Sequence, residues 1–93
     1  MDVGYFMIFS SYGWDDQPDG ETWKEELRLA DVAADLGFDC LWSTEHHFAD
    51  YSFIPDNIQL MTHLAAKHTH IDVGTAAVIL PWHDPLRVAE QIV

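Results

Sequence analysis

The stretch that decides the fold runs from residue 38 to residue 48 and reads Phe-Asp-Cys-Leu-Trp-Ser-Thr-Glu-His-His-Phe. Its first half, Phe38 to Trp42, is an apolar run of strand length, and its second half places an acid and two histidines where that strand ends. In parallel α/β folds, the loops that leave the carboxyl ends of the strands build the active site. The stretch therefore predicts a buried strand and a functional loop, Thr44 to Phe48, although such a loop can also be merely hydrogen-bonded.

Two other apolar runs have the composition of buried strands. Tyr5 to Phe9 and Ile71 to Leu80 are nearly continuous, which is typical of strands buried on both faces of a sheet. Between the first two strands, Thr22 and Glu25 have the spacing of a capping box, and Gly37 is suited to a left-handed helix stop. We therefore expect the first helix to begin near Thr22, to end at Gly37 and to be followed at once by the second strand.

Two more helices are predicted after the histidine loop. Residues 54–57 have the composition of a helix start, and the apolar face of that second helix comprises Ile58, Met61, Leu64 and Ala65. We interpret His63 and His68 as surface or C-terminal residues of this helix and not as ligands. Asp84 is a predicted N-cap with Pro85 at the first position of a third helix.

The order of elements indicates an α/β fold with a parallel sheet and right-handed crossovers. Three strand–helix units neither cover both faces of a sheet nor close a barrel, because an eightfold barrel needs about 250 residues. We therefore expect residues 1–93 to form part of a single domain, namely the N-terminal three strand–helix units of a larger α/β protein. The sheet edge after the third strand is an expected site of association or aggregation.

Composition excludes several classes of partner. The chain has 93 residues, of which 48% are hydrophobic, and it carries 16 acidic against 4 basic residues, for a net charge of -12. With no basic face, neither nucleic acid nor an anionic membrane is an expected partner. The single cysteine, Cys40, lies in an apolar run, and no export signal is recognised, so a reducing, cytoplasmic location is expected.

Three blocks of the chain resemble the bacterial luciferase-like family of flavin-dependent monooxygenases, in matching order and spacing. They are Gly4-Tyr5-Phe6, then Gly37-Phe38-Asp39 through Trp42 to Glu45-His46-His47-Phe48, and finally Val73 to Pro81 through Asp84 to Glu90. The resemblance implies a TIM (β/α)8 barrel that uses reduced FMN, or a reduced deazaflavin in some branches, with O2 and a small organic substrate. It also implies a flavin reductase as partner and a homodimer or heterodimer in the full-length protein.

Carried over by position, the resemblance implies roles for three residues, and two more are expected to bind the cofactor. His46 matches the family's active-site histidine, which is suited to move a proton near neutral pH or to hydrogen-bond a reacting oxygen. Ala76 and Ala77 match the place where the family often has a non-proline cis peptide against the flavin ring. Glu45 and Phe6 are the other expected cofactor-binding residues, and no metal ligand is expected.

Simpler interpretations of these residues remain open. His46 could be a loop histidine that only caps Glu45, and Glu45 could orient either His46 or a helix end. Phe6 and Trp42 could be ordinary core aromatics. The acidic segment Trp14 to Gly20 matches no family pattern that we recognise.

Two alternative functions follow from the same residues. The first is a metal-dependent barrel hydrolase with Glu45, His46, His47 and His83 as ligands; adjacent histidines at a strand end point in opposite directions, which argues against it. The second is a truncated, catalytically inactive barrel fragment that needs its missing C-terminal part or a partner. The flavin phosphate site of such barrels is commonly formed after the seventh and eighth strands, beyond these three units. The resemblance assigns no role to Trp82 and His83.

Overall fold

The computed structural model describes residues 1–11 and 16–93. The predicted segment Trp14 to Gly20 falls partly outside this range. In chain order the elements are β1 (Gly4–Met7), α1 (Asp19–Asp35), β2 (Cys40–Ser43), α2 (Asn57–Lys67), β3 (Asp72–Thr75), a short 3-10 helix (Leu80–Trp82) and α3 (Pro85–Ile92).

The three strands form one parallel sheet in the order β1-β2-β3. In the register of this sheet, Phe6 lies beside Trp42, and Trp42 lies beside Gly74. The predicted α/β class with parallel strands and intervening helices is therefore confirmed. All three strands end at the same edge, so the loops that follow them share one end of the molecule.

One face of the sheet packs against α1 and α2 to form the core. Met7 and Leu41 point from the strands into this core and are fully buried, as is Leu64 of α2. Burial of such side chains is the main favourable contribution to folding, at about 1.5–3 kcal/mol for each large aliphatic residue. The helices thus fix which face of each strand is covered.

The opposite face of the sheet carries aromatic side chains that remain partly exposed. Phe6 is 45% and Trp42 is 38% exposed. The prediction that the first strand is buried on both faces is therefore wrong for the described residues, because the helices cover one face alone. The Trp42 ring lies across the two neighbouring strands: a Cβ added to Gly4 would lie 2.6 Å from Trp42 Cδ1, and one added to Gly74 would lie 2.5 Å from Cζ3.

Helix α1 begins earlier than the capping-box pattern predicts. It starts at Asp19 after Pro18, whose carbonyl accepts hydrogen bonds from the backbone N–H groups of Glu21 and Thr22. The predicted capping box is therefore wrong: Thr22 lies inside the helix, and its hydroxyl accepts a bond from the Gln17 side chain at 3.3 Å.

The end of α1 lies where the sequence predicts it. Gly37 has φ of +83°, its N–H donates to Ala34, and the N–H of Phe38 donates to Ala33, which together form a Schellman motif. The left-handed stop at Gly37 is confirmed. Strand β2 begins at Cys40 and not at Phe38, because Phe38 completes this helix stop.

Helix α2 follows the prediction at its start and departs from it on its apolar face. Asp56 is the N-cap and accepts a bond from the backbone N–H of Gln59. Ile58, Met61 and Leu64 are buried as expected, whereas Ala65 is exposed. His63 is exposed, but His68 is buried at the helix end, where it is 2.8 Å from the Asp31 carboxylate of α1.

The third strand is much shorter than the predicted Ile71 to Leu80, since it ends at Thr75. Its pairing partner β2 ends at Ser43, whose carbonyl accepts the N–H of Ala76, and beyond this point the side chains of Asn57 and Glu45 hold the chain. The bond between Ala76 and Ala77 is a cis peptide, as the resemblance implied. The predicted Asp84 N-cap is confirmed, since its carboxylate accepts from the N–H groups of Leu86 and Arg87.

In residues 1–11 and 16–93, no helix combines the length and the apolar character needed to cross a membrane.

Candidate active site

The candidate site is built from the two loops that follow β2 and β3. We call residues 44–56 the β2 loop and residues 76–84 the β3 loop. The predicted site residues His46 and Glu45 lie in the first, and Ala76 and Ala77 lie in the second. Because β2 and β3 are adjacent parallel strands, both loops emerge at the same edge of the sheet.

The β2 loop folds back onto the end of β1. The hydroxyls of Thr44 and Ser52 are 3.3 Å apart, and the Ser52 hydroxyl donates to the carbonyl of Ile8. The backbone N–H of Phe53 donates to the carbonyl of Phe9 at 3.2 Å. These contacts give the loop a defined conformation, so that its side chains are held in place.

His46 is half-buried near the start of the β2 loop. Its backbone N–H donates to the carbonyl of Ile54 at 3.0 Å, and its ring packs edge-on against Tyr51 at 5.4 Å between ring centroids. The imidazole makes no hydrogen bond to Glu45 among the described contacts. The interpretations that His46 only caps Glu45, and that Glu45 orients His46, are therefore both wrong.

The Glu45 carboxylate is the centre of a buried hydrogen-bond network. Its side chain is 0% exposed, and its Oε1 atom lies 2.7 Å from Nε2 of His47 and 2.7 Å from Nε2 of His83. Its Oε2 atom accepts the backbone N–H of Ile79 at 2.8 Å. One carboxylate thus joins the β2 loop to the β3 loop.

The surroundings of Glu45 favour its charged form. Burial alone would raise the pKa of this carboxyl, but the hydrogen bonds from Ile79, His47 and His83 outweigh burial and lower the pKa below its usual value. An ionised carboxylate only accepts hydrogen bonds, so both histidines must carry a proton on Nε2. The network therefore fixes the orientation of two imidazole rings through one oxygen atom.

Asn57 is a second link between the loops, and the sequence analysis missed it. The side chain is almost fully buried at the start of α2, and its Nδ2 atom donates to the carbonyls of Ala77 at 3.3 Å and Ser43 at 3.5 Å. Its Oδ1 atom is buried with no hydrogen-bond partner. A sequence signal did exist, because Asn57 occupies the apolar face four residues before Met61 and seven before Leu64.

Trp82 and His83, to which the resemblance assigns no role, both contact the β2 loop. The Trp82 ring stacks on His47 with 4.7 Å between centroids, and it lies 5.9 Å from the exposed ring of Phe48. His83 binds Glu45 as described above. The 3-10 helix therefore presents an aromatic surface beside the histidine loop.

The remaining predicted cofactor residues differ in their exposure. Ala76 and Ala77 are exposed at the end of β3, and Phe6 lies on the open face of the sheet beside Trp42. Glu45, in contrast, is enclosed by protein and has both oxygens bonded. A direct contact between Glu45 and a cofactor would require these bonds to rearrange.

The described residues include no group of three or more His, Cys, Asp or Glu side chains that is arranged to hold a metal ion. His47 and His83 meet at Glu45, but the His46 ring packs on Tyr51 instead. The four-ligand arrangement considered for a hydrolase is therefore not formed by these residues.

Comparison with solved structures places the fold among monooxygenases. The chain superimposes with a TM-score of 0.85 on monooxygenase RslO1 from Streptomyces bottropensis, at 30% identity, covering 99% of this chain and 28% of that one. It also superimposes with a TM-score of 0.80 on the oxygenating constituent of 3,6-diketocamphane monooxygenase from Pseudomonas putida, a type II Baeyer-Villiger monooxygenase solved with FMN. In that case the identity is 23%, with 99% of this chain and 25% of that chain covered.

Curated sequences give the same result. The chain is 31% identical over 72 residues to the alkanal monooxygenase alpha chain of Photorhabdus laumondii, covering 77% of this chain and 20% of that protein. It is 28% identical over 77 residues to the oxygenase component of the flavin-dependent trigonelline monooxygenase of Acinetobacter baylyi, covering 83% and 21%. The chain thus spans about a fifth of the length of these two relatives.

The model of the luciferase-like monooxygenase family matches residues 1–93, which is the whole chain. The order of strands and helices, the cis peptide after β3 and the histidine loop after β2 agree with this match. The chain belongs to the luciferase-like monooxygenase family.

Proposed function

We propose that the complete protein is a flavin-dependent monooxygenase that uses reduced FMN and O2 to oxygenate a small organic substrate. The observation that carries this proposal is the placement of His46 and the Ala76–Ala77 segment at the carboxyl ends of adjacent parallel strands. In α/β barrels this edge holds the active site. Membership in the family supports the reaction class.

The open face of the sheet fits a planar ring system. Gly4 and Gly74 leave room for the Trp42 ring to lie flat across the strands, and Trp42 and Phe6 present partly exposed aromatic surface there. We propose that Phe6, Ala76 and Ala77 would contact the flavin and that Glu45 would contribute to the same site. Pockets for cofactors typically combine such apolar surface with a small number of placed polar groups.

The flavin, when bound, supplies electrons to O2, which is chemistry that amino-acid side chains do not perform. The protein's contribution is to orient the ring, to exclude water and to move protons. We propose that the imidazole of His46 exchanges a proton or hydrogen-bonds a reacting oxygen, because an imidazole ring can both donate and accept a proton. Its backbone bond to Ile54 holds it at the strand end for this purpose.

The cofactor and the partner follow from the same comparisons. One structural neighbour contains FMN, and one relative is named as the oxygenase component of a flavin-dependent enzyme. These descriptions support FMN, O2 and a separate flavin reductase for this protein, with a reduced deazaflavin as the alternative. We further propose a cytoplasmic location, which the thiol of the unpaired Cys40 supports, and a dimeric full-length protein.

A second candidate concerns the 93 residues by themselves. The chain spans about a fifth to a quarter of its relatives, and Phe6 and Trp42 lie on an open sheet face. These observations favour residues 1–93 as the N-terminal part of a (β/α)8 barrel. In this reading, the segment is catalytically inactive until its C-terminal part or a partner completes the barrel.

Oxygen reactivity tests the proposed function without knowledge of the substrate. Free reduced FMN and O2 yield oxidised FMN and hydrogen peroxide. We expect the native polypeptide, isolated from its source, to slow peroxide release from bound reduced FMN, because its pocket excludes water. A peroxide time course identical to that of free reduced FMN would contradict the proposal, and parallel anaerobic binding titrations with reduced FMN and with a reduced deazaflavin separate the two cofactors.

A further inference from the structure

The two carboxylate oxygens of Glu45 contact the β3 loop at two separate points. Among the described side chains, Glu45 alone does this while also bonding to a residue of the β2 loop, in which it lies. Oε2 accepts from Ile79, and Oε1 accepts from His83 and from His47 of the β2 loop. Ile79 and His83 lie on either side of the 3-10 helix Leu80–Trp82. The carboxylate therefore fixes this helical turn at both of its ends.

The opposite end of the β3 loop is fixed by different contacts. The N–H of Ala76 donates to the carbonyl of Ser43 at 2.8 Å, and the Asn57 side chain donates to the carbonyl of Ala77. Asn57 thus holds the first part of the loop, and Glu45 holds the second part. Between them, two buried polar side chains determine where residues 76–83 lie relative to β2.

We propose that Glu45 is a positioning residue that holds the second part of the β3 loop, Ile79 to His83, in a fixed spatial relation to the catalytic His46. It thereby limits movement of the Ala76–Ala77 segment, whose other end Asn57 holds. This inference rests on the proposed function. Glu45 itself touches neither His46 nor the space above Ala76 and Ala77, because protein encloses its carboxylate. It acts through Ile79 and His83 on one side and through the backbone that leads to His46 on the other.

Glutamine at position 45 tests the role of the carboxylate with almost no change in shape. A glutamine has one acceptor oxygen and one NH2 donor, whereas Glu45 receives donors at both oxygens. In Glu45→Gln, either the Ile79 N–H faces an NH2 group and loses its acceptor, or both histidines must change tautomer so that Nε2 accepts from the NH2 group. In either case the bonds to a charged carboxylate are lost or replaced by weaker neutral ones.

Two measurements on the native polypeptide give the readout. The first is hydrogen exchange of the Ile79 amide in the absence of flavin, and the second is the dissociation constant for reduced FMN from anaerobic titration. In Glu45→Gln we expect faster hydrogen exchange of the backbone amides across residues 76–83. We also expect the affinity for reduced FMN to be weaker by roughly ten-fold or more, which is the effect of losing one hydrogen bond to a charged group. Glu21→Gln, an exposed residue paired with Lys24, is the matched control and should change neither value.

The outcomes separate this inference from the proposed function. If Glu45→Gln binds reduced FMN as tightly as wild type does, the positioning role is wrong and the proposed function stands. If the wild-type protein fails to bind reduced FMN, the proposed function is wrong, and the positioning role falls with it. Faster exchange together with weaker binding supports both.

A second pair of variants covers the case in which Glu45→Gln does not fold. His83 is partly exposed, so its replacement is less disruptive than removal of a buried charge. His83→Ala removes one donor to Glu45, whereas His83→Gln keeps an NH2 group that can reach the position of Nε2. We expect weaker binding of reduced FMN in His83→Ala and recovery in His83→Gln; equal affinity in His83→Ala and wild type would overturn the inference.

Discussion

Glu45 and His83 are 38 residues apart in the chain, yet Oε1 of Glu45 lies 2.7 Å from Nε2 of His83. The contact joins the loop after β2 to the loop after β3, which are the two loops that carry the predicted catalytic and cofactor residues. Since the carboxylate is buried and its charged form is favoured, its ionisation also links the geometry of the site to pH.

The first prediction concerns stability in acid. The pKa of Glu45 is lower in the folded protein than its unfolded value of about 4.3, so the unfolded chain binds more protons between these two values. The stabilisation is present above pH ~4.3 and is lost as pH falls through the folded pKa. The melting temperature of wild type should therefore fall more steeply as pH drops below ~4.3 than that of Glu45→Gln. Parallel slopes for the two proteins would show that this carboxylate is not stabilised by its partners.

The second prediction concerns the close approach of Trp42 to Gly74. Alanine at position 74 would place Cβ about 2.5 Å from Cζ3 of the Trp42 ring, so the ring must move. We expect Gly74→Ala to destabilise the protein by about 1–3 kcal/mol in urea unfolding, the usual cost of overpacking. Gly20→Ala is the control, because its added Cβ meets nothing within 4 Å and alanine favours a helix. Equal effects of the two substitutions would mean that Trp42 does not lie over Gly74.

The third prediction separates the role of His46 from folding. His46→Ala should lower the turnover of whichever organic substrate the native polypeptide accepts by a factor on the order of 10²–10⁴, as expected for loss of a general acid or base. Its stability should change little, because among described contacts the His46 ring contributes one edge-on contact to Tyr51. His63→Ala, on the exposed face of α2, is the matched control. Normal turnover by His46→Ala would exclude a catalytic role.

The fourth prediction concerns the size of the native polypeptide. The 92 residues aligned to a Sinorhizobium fredii protein make up 26% of that relative, and the open sheet face needs a cover. Mass spectrometry of the protein from its source should therefore give a mass several times the 10.6 kDa of these residues. A native mass of 10.6 kDa would instead show that the three-unit segment exists alone.

Local signals in the sequence predicted local structure well. Gly37 was recognised as a helix stop because few other residues adopt its positive φ, and Asp84-Pro85 was recognised as a helix start. These features depend on residues that are neighbours in the chain. The parallel direction of the strands was also predictable, because near-continuous apolar runs alternate with segments of helical periodicity.

Features that depend on distant contacts were not predictable in this way. β3 ends at Thr75 because its partner ends at Ser43, and no property of the apolar run up to Leu80 indicates this. Likewise, no pattern in the sequence around Glu45 or around His83 indicates that these two side chains form a hydrogen bond. The capping-box spacing of Thr22 and Glu25 was misleading, since the helix had already begun at Asp19.

The most direct test of the account is an anaerobic titration of the native polypeptide with reduced FMN, followed by its absorbance and by the quenching of protein fluorescence. Trp42 lies on the open face of the sheet that is proposed to contact the flavin, so its emission should report binding. We expect saturable binding of one reduced FMN per chain. Absence of saturable binding, with a folded and full-length protein, would contradict the proposed function.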